Sequence, residues 1–124
     1  HMPRNIRMKT SLRLNPALAC VFAATALFLV GPAFAQAVDA DAAQALIKKS
    51  DCSKCHAVDK KKDGPSFKET AAKLKGKAGA EAEVYKHLTT APKVKIDGKE
   101  EEHKVVKSKD EAEIRNLARW ILSR

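Results

Sequence analysis

The sequence predicts a single all-α domain over residues 36–124, folded around something apolar at its centre. Apolar residues recur at helical spacing in four stretches, and no segment shows a convincing sheet pattern. Only three aromatic side chains follow position 35, namely Phe67, Tyr85 and Trp120. A domain this small buries a modest fraction of its surface and often depends on a disulfide, a metal or a cofactor.

The four predicted helices cover residues 39–49, 67–75, 80–90 and the segment that begins near Ser108. Ser108 with Glu111 three residues later matches a capping box, which predicts the start of the last helix. An apolar stripe follows at Ile114, Leu117, Ala118 and Ile121. Residues 93–107 are predicted to form a polar loop around Asp97-Gly98, in which the alternation of Val94 and Ile96 allows only a short extended piece.

Residues 1–35 have the order of a secretory signal peptide. Four basic side chains come first, residues 17–30 are almost unbroken apolar sequence, and Ala33-Phe34-Ala35 is a cleavage site. As a helix the apolar run spans about 21 Å, short of the bilayer core of about 30 Å, which disfavours a membrane anchor. Cys20 lies inside the run rather than after it, which disfavours a lipid anchor. We therefore predict cleavage after Ala35, export to the periplasm and no membrane association afterwards.

The chemistry is concentrated in Cys52-Ser53-Lys54-Cys55-His56, a CxxCH motif. This pentapeptide is the signal for c-type haem attachment, in which both thiols form thioethers with haem vinyl groups and the histidine binds the iron. A CxxC redox pair would sit in a βαβ setting, and a disulfide would leave His56 unexplained. A zinc site needs four ligands, and only His87 and His103 remain to complete one. We predict one covalent haem c.

The segment 36–124 resembles the class I cytochrome c family. The resemblance rests on a short helix before Cys52, the CxxCH motif, the tetrapeptide Gly64-Pro65-Ser66-Phe67 and a last helix that ends in LARWIL. It implies a small helical fold wrapped around one haem, with the Pro65 carbonyl accepting a hydrogen bond from His56. It also implies that Phe67 and Trp120 contact the haem, and that the protein transfers electrons and is not an enzyme.

One family feature is absent. Class I cytochromes usually take a methionine from the loop before the last helix as the sixth iron ligand, but Met2 and Met8 both precede the predicted cut. His103 lies roughly where that methionine would fall, and His87 in the third helix is the alternative. A lysine, water or a vacant position also remains open. We predict ligation by His56 and His103 and, since methionine sulfur raises haem potentials, a low potential.

The excess of basic residues suggests how the protein binds its redox partners. After position 35 there are 20 basic and 15 acidic residues. Nucleic acid binding is disfavoured because aromatic residues are not interleaved with the basic side chains. We predict an electron carrier that docks on the acidic surface of redox proteins. The alternatives are a haem sensor with a displaceable sixth ligand and the electron-accepting subunit of a dehydrogenase. Six lysines flank the motif: Lys48, Lys49, Lys54, Lys60, Lys61 and Lys62.

Overall fold

The computed structural model describes residues 37–124, so the predicted signal peptide and Cys20 lie outside the described residues. No helix in this part of the chain is long and apolar enough to cross a membrane. A 3₁₀ turn occupies Cys52–Lys54. The other elements are helix α1 (Ala40–Lys49), α2 (Phe67–Leu74), α3 (Ala80–Thr89), strand β1 (Lys93–Ile96), β2 (Lys99–Glu102) and helix α4 (Glu111–Leu122).

Helix α4 is the centre of the fold, since it contacts α1, α2 and α3. The apolar stripe predicted for it is buried, and Leu117 and Ala118 have no exposed surface. Burial of one apolar helix face against several neighbours is the main source of stability for a helix of this length. The other helices contribute Ala43, Leu46, Ile47, Phe67, Leu74, Val84 and Leu88 to the same core.

Both ends of α1 are tied to the rest of the chain. At the start, the Asp39 backbone N–H donates to Oδ1 of Asn116, and Nδ2 of Asn116 donates to the Asp39 carbonyl, both at 2.8 Å. At the other end, the hydroxyl of the C-cap residue Ser50 accepts a 3.0 Å hydrogen bond from the Lys107 N–H. The residues that follow α1 therefore leave it from a fixed position beside α4.

The all-α prediction is incomplete, because residues 93–102 form a small antiparallel sheet. Strand β1 pairs with β2 so that Lys93 lies opposite Glu102 and Ile96 opposite Lys99. Asp97 and Gly98 connect them with φ of 50° and 76°. Two central residues with positive φ are typical of the type I′ turn, which matches the twist of a hairpin. The fold is mostly helical, as expected, with one two-stranded ribbon added.

The capping box predicted at Ser108 is wrong. The N-cap of α4 is Asp110, whose carboxylate accepts hydrogen bonds from the N–H groups of Ala112 and Glu113. The Ser108 hydroxyl instead accepts from the Asp110 N–H at 3.1 Å and donates to the Glu113 carboxylate at 2.6 Å. An aspartate carboxylate competes well for this position because its charge also favours the positive end of the helix dipole.

Candidate cofactor site

The CxxCH segment folds into a tight turn directly after α1. Asp51 adopts the left-handed conformation with φ of 59°, which reverses the chain after the helix. The Cys52 carbonyl then accepts hydrogen bonds from the N–H groups of Cys55 at 3.2 Å and His56 at 2.9 Å. Both cysteines are free and half-buried, and burial raises the pKa of the Cys52 thiol. The turn therefore presents two unpaired thiols and one imidazole to the same cavity.

The following loop folds back over this turn. The Gly64 N–H donates to the Cys55 carbonyl at 2.8 Å, and the Lys62 ammonium donates to the Ser53 carbonyl. This brings the Pro65 carbonyl to 2.7 Å from Nδ1 of His56. A carbonyl can only accept, so Nδ1 carries the proton and Nε2 keeps its lone pair for a metal.

Gly64 is required by this close approach. A Cβ built on Gly64 would overlap the imidazole of His56. The loop can therefore cover the ring only with glycine at this position. The Gly-Pro dipeptide has two separate tasks, since Gly64 makes room for the ring and Pro65 orients it.

The turn opens onto a cavity of about 680 Å³, within the usual range for cofactor and ligand pockets. Cys52, Cys55 and His56 line one side, and His103 contributes to the lining as well. Apolar walls come from α2, α4 and the ribbon: Phe67, Leu117, Ile121, Val94 and Ile96. The two β1 residues were not predicted as site residues, although their alternation was the signal for them.

The imidazoles of His56 and His103 lie near each other in the lining of this cavity. The ring centroids of His56 and His103 are 6.0 Å apart, with an interplanar angle of 51°. Rings at this separation are close enough for His56 and His103 to hold one metal ion between them, since metal–nitrogen distances are about 2.0–2.1 Å. Nδ1 of His103 is buried and has no hydrogen-bond partner among the described residues. The donor set and its spacing fit a haem iron.

His103 is held by its backbone on both sides. Its N–H donates to the Pro92 carbonyl at 2.8 Å, and the N–H of Val106 donates to the Leu88 carbonyl at 3.0 Å. The pKa of His103 is lowered, first because burial disfavours the imidazolium and then because of the charges of His87 and His56. A neutral imidazole is the form that binds metal.

His87, the alternative ligand, lies beside His103. The centroids of their rings are 4.3 Å apart with an interplanar angle of 57°. His87 is exposed on α3 and also lines the cavity. The ring of His87 contacts the ring of His103, and the ring of His103 contacts the ring of His56. His103 therefore lies between the other two histidines in this series of contacts.

Phe67 and Trp120 form a stack behind His56. The Phe67 ring lies 5.6 Å from the His56 ring at 19°, and Trp120 meets Phe67 edge to face at 5.7 Å. In the described part of the chain the cavity lining includes Phe67 but not Trp120. Trp120 is therefore separated from the cavity by the side chain of Phe67. Its contact with the haem stays a prediction.

Lysines surround the cavity opening. Lys54 and Lys61 are exposed and line the cavity. Asp51 lies among these charges, and a hydrogen bond from Lys107, at 3.4 Å, holds the pKa of its carboxyl below the usual range, helped by the charge of Lys54. The charged residues that line the cavity are of both signs, since Asp63, Glu69, Glu83, Glu101 and Glu102 lie there together with the lysines.

A helical domain that presents CxxCH and a histidine oriented through Nδ1 to one cavity has the design of a monohaem c-type cytochrome. The chain belongs to the cytochrome c family, since residues 40–124 match the family model for cytochrome c.

Named relatives give the same result. Cytochrome c-551 of Pseudomonas aeruginosa is 36% identical over 102 residues, which cover 82% of this chain and 95% of that protein. The class 1 cytochrome MtoD of Sideroxydans lithotrophicus is 53% identical, with a TM-score of 0.68 over 70% of this chain and 97% of that one. Wild-type cytochrome c552 of Nitrosomonas europaea is 27% identical, with a TM-score of 0.52 over 64% of this chain and 96% of that one.

The predicted membership of the class I family is thereby confirmed. The protein is a monohaem electron-transfer cytochrome with one covalently bound haem c, and it is not an enzyme.

Proposed function

We propose that this cytochrome is a periplasmic electron carrier whose iron is bound by His56 and His103 and whose reduction potential is low. The observation that carries the proposal is the pair of imidazoles at 6.0 Å in one cavity, together with the unpartnered Nδ1 of His103. Residues 36–124 contain no methionine, so the ligand usual in class I cytochromes is missing from the cavity.

Different residues would attach the haem, orient its histidine ligand and exclude water from it. Haem, bound through Cys52 and Cys55, supplies reversible one-electron chemistry. The Pro65 carbonyl holds the Nδ1 proton of His56 and increases the basicity of its other nitrogen. Phe67, Leu117 and Ile121 exclude water from the cavity walls. Two strong nitrogen donors would leave no open coordination position, which suits electron transfer and not catalysis.

Ligand substitution tests the assignment. His103→Ala should convert the low-spin bis-imidazole spectrum into a high-spin or water-ligated one. His103→Met should raise the potential, because the softer sulfur favours ferrous iron. Every shift of about 59 mV corresponds to a tenfold change in the ratio of oxidised to reduced protein, so a modest effect is measurable by redox titration.

His87→Ala is the matched control, since it removes the other imidazole that lines the cavity. The protein should remain low-spin. If His87→Ala converts the spectrum and His103→Ala does not, the ligand assignment is reversed. If neither does, another group binds the sixth position. A wild-type protein that binds carbon monoxide readily would then favour the sensor over the carrier.

Docking of acidic partners through the lysines at the cavity opening is the second part of the proposal. Long-range attraction accelerates such encounters and is screened by salt. Lys54→Gln with Lys61→Gln should slow electron transfer to the anion ferricyanide and flatten its dependence on ionic strength. Lys75→Gln with Lys109→Gln removes the same charge from exposed positions that do not line the cavity. Equal effects of the two pairs would show that net charge alone matters.

A further inference from the structure

We infer that His87 is a positioning residue: its imidazole packs against the ring of His103 and restrains it in the orientation that binds the iron. This inference rests on the proposed ligation by His103. It assigns His87 a function other than ligation, although its side chain lines the same cavity.

The rings of His87 and His103 are in a tilted packing contact. An in-plane N–H···N hydrogen bond between two imidazoles would place their centroids about 5 Å apart, since a donor–acceptor distance near 2.9 Å adds to two ring radii. The observed centroids are 4.3 Å apart and the planes are inclined by 57°. In agreement, Nδ1 of His103 has no hydrogen-bond partner within the described residues. His87 therefore acts on His103 through packing.

The backbone around His103 is fixed by hydrogen bonds, and packing against a neighbouring ring adds a restraint on the side chain. The contacts to Pro92 and between Val106 and Leu88 hold the chain on both sides of the residue. Nδ1 of His103 has no hydrogen-bond partner among residues 37–124, so that atom does not fix rotation about χ1 and χ2. At 4.3 Å, the ring of His87 lies closer to His103 than the ring of His56 does.

The position of His87 on α3 makes it a firm support. Val84, one turn earlier, and Leu88, the next residue, are both buried in the core. The Leu88 carbonyl is also the group that accepts from Val106 beyond His103. One helix therefore positions the backbone that follows His103 and the ring that packs on it.

A ring that is held in place leaves the iron less often. Carbon monoxide binding to the reduced protein measures this, because the gas binds only when the sixth ligand has moved away. His87→Ala should stay low-spin but increase carbon monoxide affinity by about two- to tenfold, the equilibrium equivalent of one lost aromatic contact. The electron paramagnetic resonance spectrum of the ferric protein should also shift, because it reports the relative orientation of the two imidazole planes.

Two further variants separate packing from other causes. His87→Phe keeps an aromatic face and should restore affinity close to that of wild type. Lys86→Ala, an exposed neighbour on the same helix, should have no effect. Unchanged carbon monoxide affinity and resonance spectrum in a folded His87→Ala protein would overturn the inference, as would a His87→Phe protein as labile as His87→Ala. Failure of the ligation proposal looks different, because either wild type would lack a bis-imidazole spectrum or His87→Ala would itself lose that spectrum.

Discussion

Replacement of Ser66 by alanine should destabilise the protein, because this buried serine is the N-cap of α2. Its hydroxyl accepts a 3.0 Å hydrogen bond from the Glu69 N–H, and the Glu69 carboxylate accepts a 2.7 Å bond from the Ser66 N–H. Loss of a serine N-cap costs about 1 kcal/mol and up to about 2 kcal/mol. Ser66 is only 1% exposed, so water replaces the lost bond poorly and the upper part of that range is expected.

The expected change is large enough to measure by melting. For a domain of this size each kcal/mol shifts the Tm by about 4–8 °C, so a loss of about 2 kcal/mol in Ser66→Ala should lower it by about 8–16 °C. The assay is far-ultraviolet circular dichroism of the holoprotein during heating. A second measurement is the reduction potential, because α2 begins directly after Pro65, whose carbonyl orients His56.

Ser108→Ala and Asp110→Ala are the matched controls for α4. Asp110 caps that helix and Ser108 lies outside it, so Asp110→Ala should lower the Tm more than Ser108→Ala does. The reasoning is refuted if Ser66→Ala melts with the wild type. It is also refuted if Ser108→Ala is the most damaging of the three changes.

Three other predictions concern the site and its surroundings. Gly64→Ala should displace the imidazole of His56, which redox titration will detect as an altered potential and absorption spectroscopy as a loss of low-spin haem. The fluorescence of Trp120 should be strongly quenched in the holoprotein, since it stands directly behind Phe67. Lys107→Met should lower the Tm slightly near neutral pH, because Lys107 is the main cause of the low pKa of the Asp51 carboxyl. The effect should fade as pH falls from the ordinary value of 3.8 through the lowered pKa of the folded state, below which the carboxyl is protonated in both states.

Each of these has a clear contrary result. Gly76→Ala is the control for Gly64→Ala: a Cβ there meets nothing, but φ is +73°, so it should lower the Tm without changing the spectrum. Equal spectra for the two variants would contradict the close approach of Gly64 to His56. Bright emission would place Trp120 away from the haem. A Tm difference for Lys107→Met that persists in acid would show that Asp51 is not its cause.

The helices were predictable because their apolar residues repeat at a period of 3.6. The stripe on α4 follows that period closely, and burial of Leu117 and Ala118 is what the pattern requires. The helix bounds differ by a residue or two, since the last turn of a helix depends on capping contacts that periodicity does not report.

The ribbon was missed because only half of it has a strand pattern. Val94 and Ile96 alternate with lysines, but β2 is Lys-Glu-Glu-Glu, which has no apolar face. The pairing of β2 with β1 depends on the Asp97-Gly98 turn. This dipeptide is a short-range signal for a hairpin, but the sequence around it was interpreted as a polar loop. Val94 and Ile96, the apolar residues of β1, both line the cavity. Their side chains therefore face the cofactor site and have no apolar partner on β2.

The attachment motif was predictable because covalent chemistry imposes its own spacing on the sequence. The relation between His103 and His87 was not, because it depends on how the loop after β2 returns to α3. Position along the chain could suggest His103 as a replacement for methionine. That the two histidine rings touch could be learned only from the fold.

The joining of the first and last helices has a consequence for how the chain is made. Asp39 and Asn116 exchange hydrogen bonds across 77 positions of sequence. A ribosome adds about 5–20 residues per second, so α1 emerges seconds before its partner exists. Until Glu111–Leu122 has been synthesised, the nascent chain has no surface on which to bury Leu46, Phe67 or Leu88. The helical core of residues 37–124 can therefore close only after α4, the shared partner of α1, α2 and α3, has been made.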